Sequence, residues 1–406
     1  MSSSLLITHF QIYLMAPLHT ELKVDDPSLI REGEFLDIFY VNRMISVGGF
    51  GQVFDAVEGC SGENVALKVE SLSASIQLLA SEAHCLRSLN RAHNPQEKSS
   101  FEPFIRYFGY GVVGNVRYMA MEKCGMNVRD LKKTTEFDRF SIGTSMWILY
   151  KMIDAMKTMH TLGWLHRDVK PANFCVGAHD GRSLFVLDFG MSRCFVAPNG
   201  KIKPRKPHCS FHGTLRYVSL NIHHRQDAST WDDLWSVYYV AIENMVGQLP
   251  WRNIPDKVLV SFGSMKILTE FLLVAEYKAS AKLAELEYGQ ETHQPHCLSI
   301  LSHYLTAALQ KAEEYFYCPP PYQLILSEVE TDLSRRNLSL QNIILDWQHS
   351  TKKETKNSAY IGDYMYHQKT TPKKKERIEA VGDCCPEPRI HHQNYAPRGN
   401  RSVYFY

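Results

Sequence analysis

Two polar clusters near the middle of the 406-residue chain contain the residue types that phosphoryl transfer requires. The first is HRDVKPAN at residues 166–173, and the second is DFG at residues 188–190, directly after the apolar run LFVL. Carboxylate and amide oxygens are hard ligands of the kind that Mg²⁺ prefers, and a well-placed carboxylate can accept the proton of a hydroxyl. Together the clusters suit the transfer of a phosphoryl group from a metal-bound donor to a hydroxyl.

The order and spacing of these clusters resemble the catalytic loop and the metal-binding DFG of eukaryotic protein kinases. The resemblance implies that Asp168 accepts the proton of the substrate hydroxyl and that Lys170 offsets charge on the γ-phosphate of ATP. Asn173 and Asp188 would each hold a Mg²⁺ ion. Either cluster alone would also fit a helix end or a turn, but both in this order around an apolar strand favour the catalytic interpretation.

The stretch SVGGFGQV at residues 46–53 resembles the glycine-rich loop of the same family, in which backbone N–H groups approach the phosphates. Ser46 stands where the family has its first glycine. A glycine pair in a hairpin is usually only a turn, but the strand and the lysine that follow favour nucleotide binding. The residues that the resemblance assigns to this contact are Val47, Gly48, Gly49, Phe50, Gly51 and Val53.

A second strand, VALKV at residues 65–69, resembles the kinase strand whose lysine pairs with the α- and β-phosphates. Ala66 and Lys68 are therefore assigned to the nucleotide pocket, although a lysine on a solvated strand face is the plain alternative. The next segment has apolar residues at helical spacing, and Glu82 lies off that stripe, which consists of Ile76, Leu79, Ala80, Ala83, Leu86 and Leu89. We assign Glu82 as the ion-pair partner that positions Lys68. An exposed glutamate is the alternative, and Glu70 is the less favoured partner.

Two strand-like runs, residues 104–111 and 115–121, lead into the sequence MEKCG. By resemblance this sequence is the hinge between two lobes. Met121 would lie at the back of the adenine pocket, and backbone groups near Glu122 and Cys124 would hydrogen-bond adenine. Met121 would equally fit a core position, and Cys124 a passive small side chain.

Two further elements would position the catalytic loop. Residues 141–162 predict a long helix whose methionine stripe we interpret as core, and Gly163 fits its C-cap. Asp233 would begin a buried helix and hold the backbone of the catalytic loop by hydrogen bonds. An aspartate at the start of a helix also suits the helix dipole, so both interpretations of Asp233 stand together.

The segment after the DFG indicates which kinases the chain resembles. Most protein kinases end this segment with Ala-Pro-Glu, whereas here Ser219-Leu220-Asn221 follows GTLRY, as in the casein kinase I superfamily. The runs WDDLWS, GQLPWR and PPPYQLI, with Asp346-Trp347 near the domain end, are most similar to the tau-tubulin kinase branch. Thr214 and Lys170 imply a serine/threonine kinase, with Thr214 beside Asp168.

The same segment suggests a preference among substrates. It contains five basic residues, namely Lys201, Lys203, Arg205, Lys206 and Arg216. An anion site formed by them would favour acidic or already phosphorylated sequences through charge-assisted contacts. A basic loop without any preference is the alternative.

Composition limits the other function classes. Hydrophobic residues make up 44% and charged residues 22% of the chain, which is typical of a globular protein. The formal net charge of +2 gives no argument for a nucleic-acid partner, and no apolar run is long enough to span a membrane. The scattered cysteines indicate reduced thiols and a cytoplasmic or nuclear location.

We therefore predict an α+β, bilobal fold with a small antiparallel-sheet N-lobe (residues 35–124) and a mainly helical C-lobe (residues 125–348). Residues 1–34 would be a poorly ordered leader, and residues 349–406 a basic, disordered tail. The predicted partners are proteins with serine or threonine acceptors, including cytoskeletal proteins, and the predicted state is a monomer. The alternatives are a pseudokinase scaffold, for which Ser46 is the only support, and a protein that mainly binds the cytoskeleton.

Overall fold

The computed structural model describes residues 28–48, 51–92, 102–252, 274, 275, 278 and 295–348. The chain divides into two compact units, residues 1–351 and 352–406, and all described residues belong to the first. Gly49 and Phe50 of the predicted glycine-rich loop lie outside the described residues. Most of the predicted leader and the whole predicted tail also lie outside them.

The N-terminal lobe is built on one antiparallel sheet. Its strands are β1 (Phe35–Leu36), β2 (Phe39–Gly48), β3 (Gly51–Glu58), β4 (Asn64–Ser71), β5 (Tyr107–Val113) and β6 (Val116–Glu122), in the order β1-β2-β3-β4-β6-β5. Val65, Leu67 and Val69 of β4 are fully buried in a core with Phe54 of β3. Because alternate side chains of a strand share one face, the neighbouring Lys68 lies on the opposite face, toward the second lobe.

Helix α1 (Leu79–Ala92) packs beside this sheet and buries Leu79, Ala83, Leu86 and Leu89. The predicted apolar stripe is correct at these positions but wrong at Ala80, which is exposed. Glu70 Oε1 accepts the backbone N–H groups of Leu78 and Leu79, at 2.7 and 3.2 Å. Glu70 thus satisfies donors at the start of the helix, where no intrahelical acceptor exists.

The C-terminal lobe is mainly helical. Its helices are α2 (Val128–Lys133), α3 (Ile142–Thr161), α4 (Leu220–His223), α5 (Thr230–Val246), α6 (His296–Gln310), α7 (Ala312–Tyr315) and α8 (Tyr322–Arg335). Helix α5 is buried on nearly every side, as expected for a helix that is apolar all round. The methionine stripe of α3 is core, as predicted, and Gly163 follows it with a φ of +82°.

Four short strands carry the two polar clusters. They are β7 (Trp164–Leu165), β8 (Phe174–Val176), β9 (Leu184–Val186) and β10 (Arg193–Cys194); β8 pairs with β9, and β7 with β10. The cluster HRDVKPAN lies between β7 and β8, and the DFG follows β9. Leu187 N–H donates to Asn173 O at 2.8 Å, so the hairpin brings the two clusters side by side.

The predicted α+β, bilobal architecture is therefore confirmed, with a sheet-based N-lobe and a helical C-lobe. Within the described part of the chain, no helix combines the length and the apolar character needed to cross a lipid bilayer. The polar clusters open toward the face of the sheet that carries Lys68, which makes the region between the lobes the candidate site.

Candidate active site

One ammonium group connects the sheet, helix α1 and the DFG segment. Lys68 Nζ lies 2.7 Å from Glu82 Oε2 and 3.0 Å from Asp188 Oδ1. The side chains of Lys68 and Glu82 are only 14% and 3% exposed. Helix α1 and the DFG segment, 120 residues further along the chain, therefore both contact a single, largely buried cation on the sheet.

Burial and charge act in opposite directions on this cluster. Burial alone would lower the pKa of Lys68, but Asp188 and Glu82 outweigh it and raise that pKa. Burial opposes the ionisation of Asp188, yet Lys68 and Lys170 hold the pKa of Asp188 at about 2. Burial raises the pKa of Glu82 to about 7, against the attraction of Lys68. Asp188 therefore stays anionic at neutral pH, as a carboxylate that binds a cation must.

Asp168 is held from several sides in the same cleft. Its Oδ2 accepts from Lys170 Nζ at 2.6 Å, and its Oδ1 accepts from Thr214 Oγ1 at 2.7 Å. Asn173 Nδ2 donates to the backbone oxygen of Asp168 at 2.9 Å. An ionised carboxylate has about four acceptor positions, so these bonds orient Asp168 and still leave room for a hydroxyl.

The buried carboxylate of Asp233, in the first turn of α5, anchors the catalytic loop. It accepts the backbone N–H groups of His166 and Arg167, each at 2.8 Å, and it contacts His160 Nε2 at 2.9 Å. Burial alone would raise the pKa of Asp233, but the hydrogen bonds that it accepts from His160 and His166 lower it. Arg167 and Asp188 have φ values of 66° and 62°, in a region that non-glycine residues rarely adopt unless their surroundings enforce it.

The phenylalanine of the DFG is packed inward. Phe189 is 1% exposed, and its ring centroid lies 5.8 Å from that of His166 and 6.3 Å from that of Phe104. His166 Nε2 lies 3.1 Å from Leu187 O, while His166 Nδ1 lies 3.2 Å from the backbone nitrogen of Asp168. This pattern fits a neutral imidazole that donates from Nε2. The packing keeps the neighbouring Asp188 directed toward Lys68.

The sheet register defines one wall of the cleft. Val53 of β3 lies opposite Lys68, and Ala66 lies opposite Met121 of β6. Paired residues and alternate residues of a strand share a face, so these four side chains line the same wall. They are four of the residues that the sequence assigns to a nucleotide.

The glycine-rich hairpin contributes mainly its backbone. Val47 pairs with Gln52, one residue out of phase with Val53, so the side chain of Val47 belongs to the other face of the sheet. Gly48 pairs with Gly51 at the end of the hairpin. Gly51 has a φ of +149°, and a Cβ there would lie 2.5 Å from Val69 O, so this close approach of two strands requires glycine.

The predicted hinge leaves specific backbone groups available. Glu122 N–H donates to Arg106 O at 2.8 Å, and Glu122 Oε2 accepts Arg106 N–H at 2.9 Å, so Glu122 holds the neighbouring segment. Among the residues that the structure describes, no hydrogen bond engages the backbone of Cys124. The N–H and C=O of Cys124 can therefore pair with the edge of an adenine.

The donor set fits Mg²⁺ that is held jointly with a nucleotide. In the described ranges, no group of three or more His, Cys, Asp or Glu side chains could hold a metal ion. Mg²⁺ does not need such a group, because it is usually bound by one or two carboxylates together with phosphate oxygens and water. Asp188 offers a carboxylate, and Asn173 offers its amide oxygen, since its Nδ2 donates to Asp168.

Gly213 joins the segment after the DFG to the catalytic loop. Its φ is +87°, and a Cβ there would lie 2.6 Å from Arg167 O and 2.8 Å from Val218 Cγ1. We expect Gly213→Ala to lower the free energy of unfolding by about 2–4 kcal/mol, because backbone strain and overlap add. Urea unfolding at pH 7 measures this loss.

Gly200→Ala is the matched control, since Gly200 has a φ of +79° but nothing lies within 4 Å of its Cβ position. This variant should lose only the cost of the left-handed backbone, about 1–2 kcal/mol. Equal losses in the two variants would contradict a specific requirement for close contact with Arg167.

The sequence pattern does not single out two buried groups near the site. Lys278 Nζ donates to Leu215 O at 2.9 Å and to Val218 O at 2.6 Å, and so holds the substrate side of the cleft. His160 Nδ1 contacts Tyr322 Oη. His160 could have been identified from the sequence, because it lies in the last turn of the helix before the catalytic loop. The role of Lys278 could not, because neighbouring residues in the sequence do not show that a lysine is buried.

Two of the five basic residues of the predicted anion site have side chains that hydrogen-bond other groups of the protein. Lys203 Nζ donates to a backbone carbonyl at 2.7 Å, and Arg205 donates to Gln226 Oε1 at 3.0 Å. Arg216 lies two residues after Thr214, which itself bonds Asp168. Of the five, Arg216 is thus the closest in sequence to a residue that bonds Asp168.

Comparison with known proteins agrees with this geometry. A family model described as "Protein kinase domain" matches residues 39–311. A probable serine/threonine-protein kinase of Dictyostelium discoideum is 35% identical over 229 residues, covering 56% of this chain and 44% of that protein. The serine/threonine-protein kinase spe-6 of Caenorhabditis elegans is 31% identical over 216 residues, 53% of this chain and 55% of that protein. Casein kinase I homolog 3 of Schizosaccharomyces pombe is 26% identical over 325 residues, 78% of this chain and 68% of that protein. The chain thus spans about half the length of the first of these relatives.

Proposed function

Because this chain belongs to the protein kinase domain family, we propose that it transfers the γ-phosphoryl group of ATP to serine and threonine hydroxyls of proteins. One observation carries the proposal: the bonds of Lys68 to Glu82 and Asp188 coexist with those of Lys170 and Thr214 to Asp168. A scaffold that only binds partners would not need all of these groups in one cleft. Ser46, the one departure from the glycine-rich pattern, still pairs with Val53 of β3, directly after a register shift between Met44 and Ser46.

Each residue then has a defined task. Asp168 accepts the proton of the acceptor hydroxyl and directs its oxygen, while Lys170 and Thr214 hold that carboxylate in place. Lys68, fixed by Glu82, offers a permanent positive charge to phosphate oxygens. Asn173 and Asp188 would hold Mg²⁺, which when bound neutralises phosphate charge. Most of the catalytic effect would come from positioning and from fixed charge in a partly buried cleft.

A peptide panel with labelled ATP tests the choice of acceptor. The panel contains three peptides that are identical except that the acceptor is serine, threonine or tyrosine. We expect the serine and threonine peptides to be phosphorylated. Lys170, two residues after Asp168, and Thr214 support this expectation, as does the similarity to two proteins named as serine/threonine-protein kinases. If only the tyrosine peptide were phosphorylated, the proposal would be contradicted.

We further propose that the chain belongs to the casein kinase I superfamily and to its tau-tubulin kinase branch. In support, Ser219 and Asn221, which replace residues of the usual Ala-Pro-Glu, donate to the two carboxylate oxygens of Asp232, at 2.5 and 3.3 Å. Asp232 also accepts the backbone N–H of Ser229 at 2.7 Å, in a capping box at the start of α5. The buried carboxylate of Asp232 thus accepts hydrogen bonds from the residues that replace Ala-Pro-Glu. The similarity to a casein kinase I homolog is in line with this placement.

We also propose that Arg216 confers a preference for acidic or phosphorylated substrates. Its side chain is 23% exposed and lies 3.9 Å from the buried Glu243, which Lys132 also approaches, at 3.3 Å. Arg216 is thus a partly exposed cation next to the segment that carries Thr214. A charge-assisted bond contributes about 1.5–3 kcal/mol, so we expect kcat/KM to be about 10–100-fold higher for acidic or phosphorylated peptides.

The substrate preference is measured with peptides that are identical except for one flanking alanine, aspartate or phosphoserine. Arg216→Ala should remove most of the preference and leave transfer to the alanine peptide nearly unchanged. Lys201→Ala is the control, since Lys201 is exposed and belongs to the same basic segment. Equal rates on all three peptides would refute the preference without affecting the proposed transfer itself.

Protein partners in the cytoskeleton and a cytoplasmic location remain proposals that need pull-down and imaging experiments.

A further inference from the structure

A cavity of about 730 Å³ opens on the C-lobe, behind the catalytic loop. It lies between the last turns of α3, strand β10 with the residues that follow it, and the segment of residues 316–321 that joins α7 to α8, together with the first turn of α8. We call it the rear cavity. Its volume falls within the range of about 300–1,000 Å³ that is typical of small-molecule sites.

The walls of the rear cavity are mainly apolar. Leu165, Phe195 and Val196 line one side, and a run of three prolines at residues 319–321 lines the other. Leu324, also in the lining, is 42% exposed, although leucine is a residue type that is usually buried. Such walls favour the apolar body of a ligand.

The charges of the lining have one sign. Among the described residues that line the rear cavity, the charged side chains are Lys157, Arg193 and Lys203, and no aspartate or glutamate is present. Arg193 is bound to the carboxylate of Asp227. Lys157 is more accessible than Arg193, because its side chain is 37% exposed and that of Arg193 is 17% exposed. Lys157 Nζ donates to Gln323 Oε1 at 3.3 Å and lies 3.7 Å from Asp154 Oδ1. The cavity thus matches a ligand with an apolar body and one negative charge.

One wall of the cavity is connected to the catalytic loop by hydrogen bonds. Tyr322 and His160 both line it, and Tyr322 Oη contacts His160 Nδ1. His160 Nε2 contacts Asp233, which holds the backbone N–H groups of His166 and Arg167. A ligand that displaces Tyr322 or His160 would therefore act on the groups that orient the loop carrying Asp168.

We propose that the rear cavity binds an apolar carboxylate, such as a medium- or long-chain fatty acid, with its acid group at Lys157. Binding changes the rate of transfer through the path from Tyr322 to His160 and Asp233, and this part rests on the kinase activity proposed above. The charge argues against the chain's own tail as the occupant, because the tail contains the run Lys373-Lys374-Lys375 and is basic overall. A ligand can shift the loop only by binding one arrangement of this path more tightly than the other.

Calorimetry with decanoate and the full chain tests binding independently of activity. We expect saturable binding that weakens about tenfold in Lys157→Glu, which replaces an attraction by a repulsion. Leu324→Asp should weaken it similarly, since it places an acid on the exposed apolar rim. Lys133→Glu, a charge reversal at a side chain on α2 that is 61% exposed, is the control and should bind like the parent. Decyltrimethylammonium, with the same chain and opposite charge, should not bind saturably.

The kinetic part is tested by titrating decanoate into the peptide assay. We expect kcat to change by at least twofold with the same half-saturation as the calorimetric binding. Tyr322→Phe should still bind decanoate but lose that response, because it lacks the hydroxyl that contacts His160. The proposal is overturned if decanoate does not bind saturably, if Lys157→Glu and Lys133→Glu bind equally, or if kcat of the saturated parent is unchanged. An inactive parent that binds decanoate at Lys157 would instead refute the proposed transfer.

Discussion

Asp168→Asn is expected to lower kcat by about 10²–10⁴-fold, the usual contribution of a positioned general base. The change removes the only property that the proposed role requires, which is the ability to accept a proton. KM for ATP should change little, because Lys68 and Asp188 contact each other without Asp168.

The fold should survive this substitution for a specific reason. The amide oxygen of the new side chain can accept from Lys170 Nζ, which can only donate. The amide nitrogen then faces Thr214 Oγ1, and a hydroxyl can accept as well as donate. Both hydrogen bonds of Asp168 therefore have an equivalent in the variant, at the distances of 2.6 and 2.7 Å seen for the carboxylate.

Steady-state transfer of labelled phosphate to a serine peptide, with thermal unfolding as the test of folding, measures the effect. Asp154→Asn is the control, because Asp154 is a C-lobe aspartate whose side chain is 46% exposed. It should keep kcat within about twofold of the parent, as surface changes usually have small effects. If Asp168→Asn kept more than a tenth of the parent rate, Asp168 would not be the base.

Asp188→Asn is expected to reduce transfer about 10³-fold or more, because the stabilisation of charge by a bound metal ion contributes several kcal/mol. An amide is a weaker ligand than a carboxylate for Mg²⁺, which prefers charged oxygen donors. Lys68 would keep its bond of 2.7 Å to Glu82, so the substitution separates metal binding from the positioning of the lysine.

Two measurements identify the cause of this loss. Calorimetry of ATP binding with and without MgCl₂ should show that Mg²⁺ no longer strengthens binding in the variant. The second measurement is the free energy of unfolding as a function of pH. Since the pKa of Asp188 is lowered to about 2 from an ordinary 3.8, its charge stabilises the fold above pH 3.8, and this contribution is lost as pH falls toward 2. The variant should lack that contribution at pH 7.

Asp332→Asn is the matched control for Asp188→Asn. Asp332 is also a buried carboxylate with a cationic neighbour, since Arg335 Nη1 lies 2.9 Å away, and it accepts Cys297 N–H at 2.6 Å. Its neutralisation should lower stability but leave the dependence on MgCl₂ unchanged. A similar loss of Mg²⁺ dependence in both variants would show that Asp188 acts through stability and not as a ligand.

Local sequence patterns are enough to predict helix α3, strand β4 and the two polar clusters. The methionine stripe predicts α3 to within one residue at each end, and alternation predicts the strand that carries Lys68. These features depend on short-range periodicity, which survives in any tertiary context that buries one face. The residues within each of the motifs HRDVKPAN and DFG are consecutive in the chain, so the sequence alone indicates their chemistry.

Which of these groups come into contact depends on how the chain folds in three dimensions. Glu70 and Glu82 are both carboxylates near Lys68 in sequence, and packing makes Glu70 a helix cap while Glu82 contacts the lysine. The contact of Lys68 with Asp188 joins residues 120 positions apart. Burial of Lys278 and the path from Tyr322 to Asp233 likewise depend on how helices pack. The reason is physical: a sequence displays charge and periodicity, whereas burial and long-range pairing arise only when the whole chain has folded.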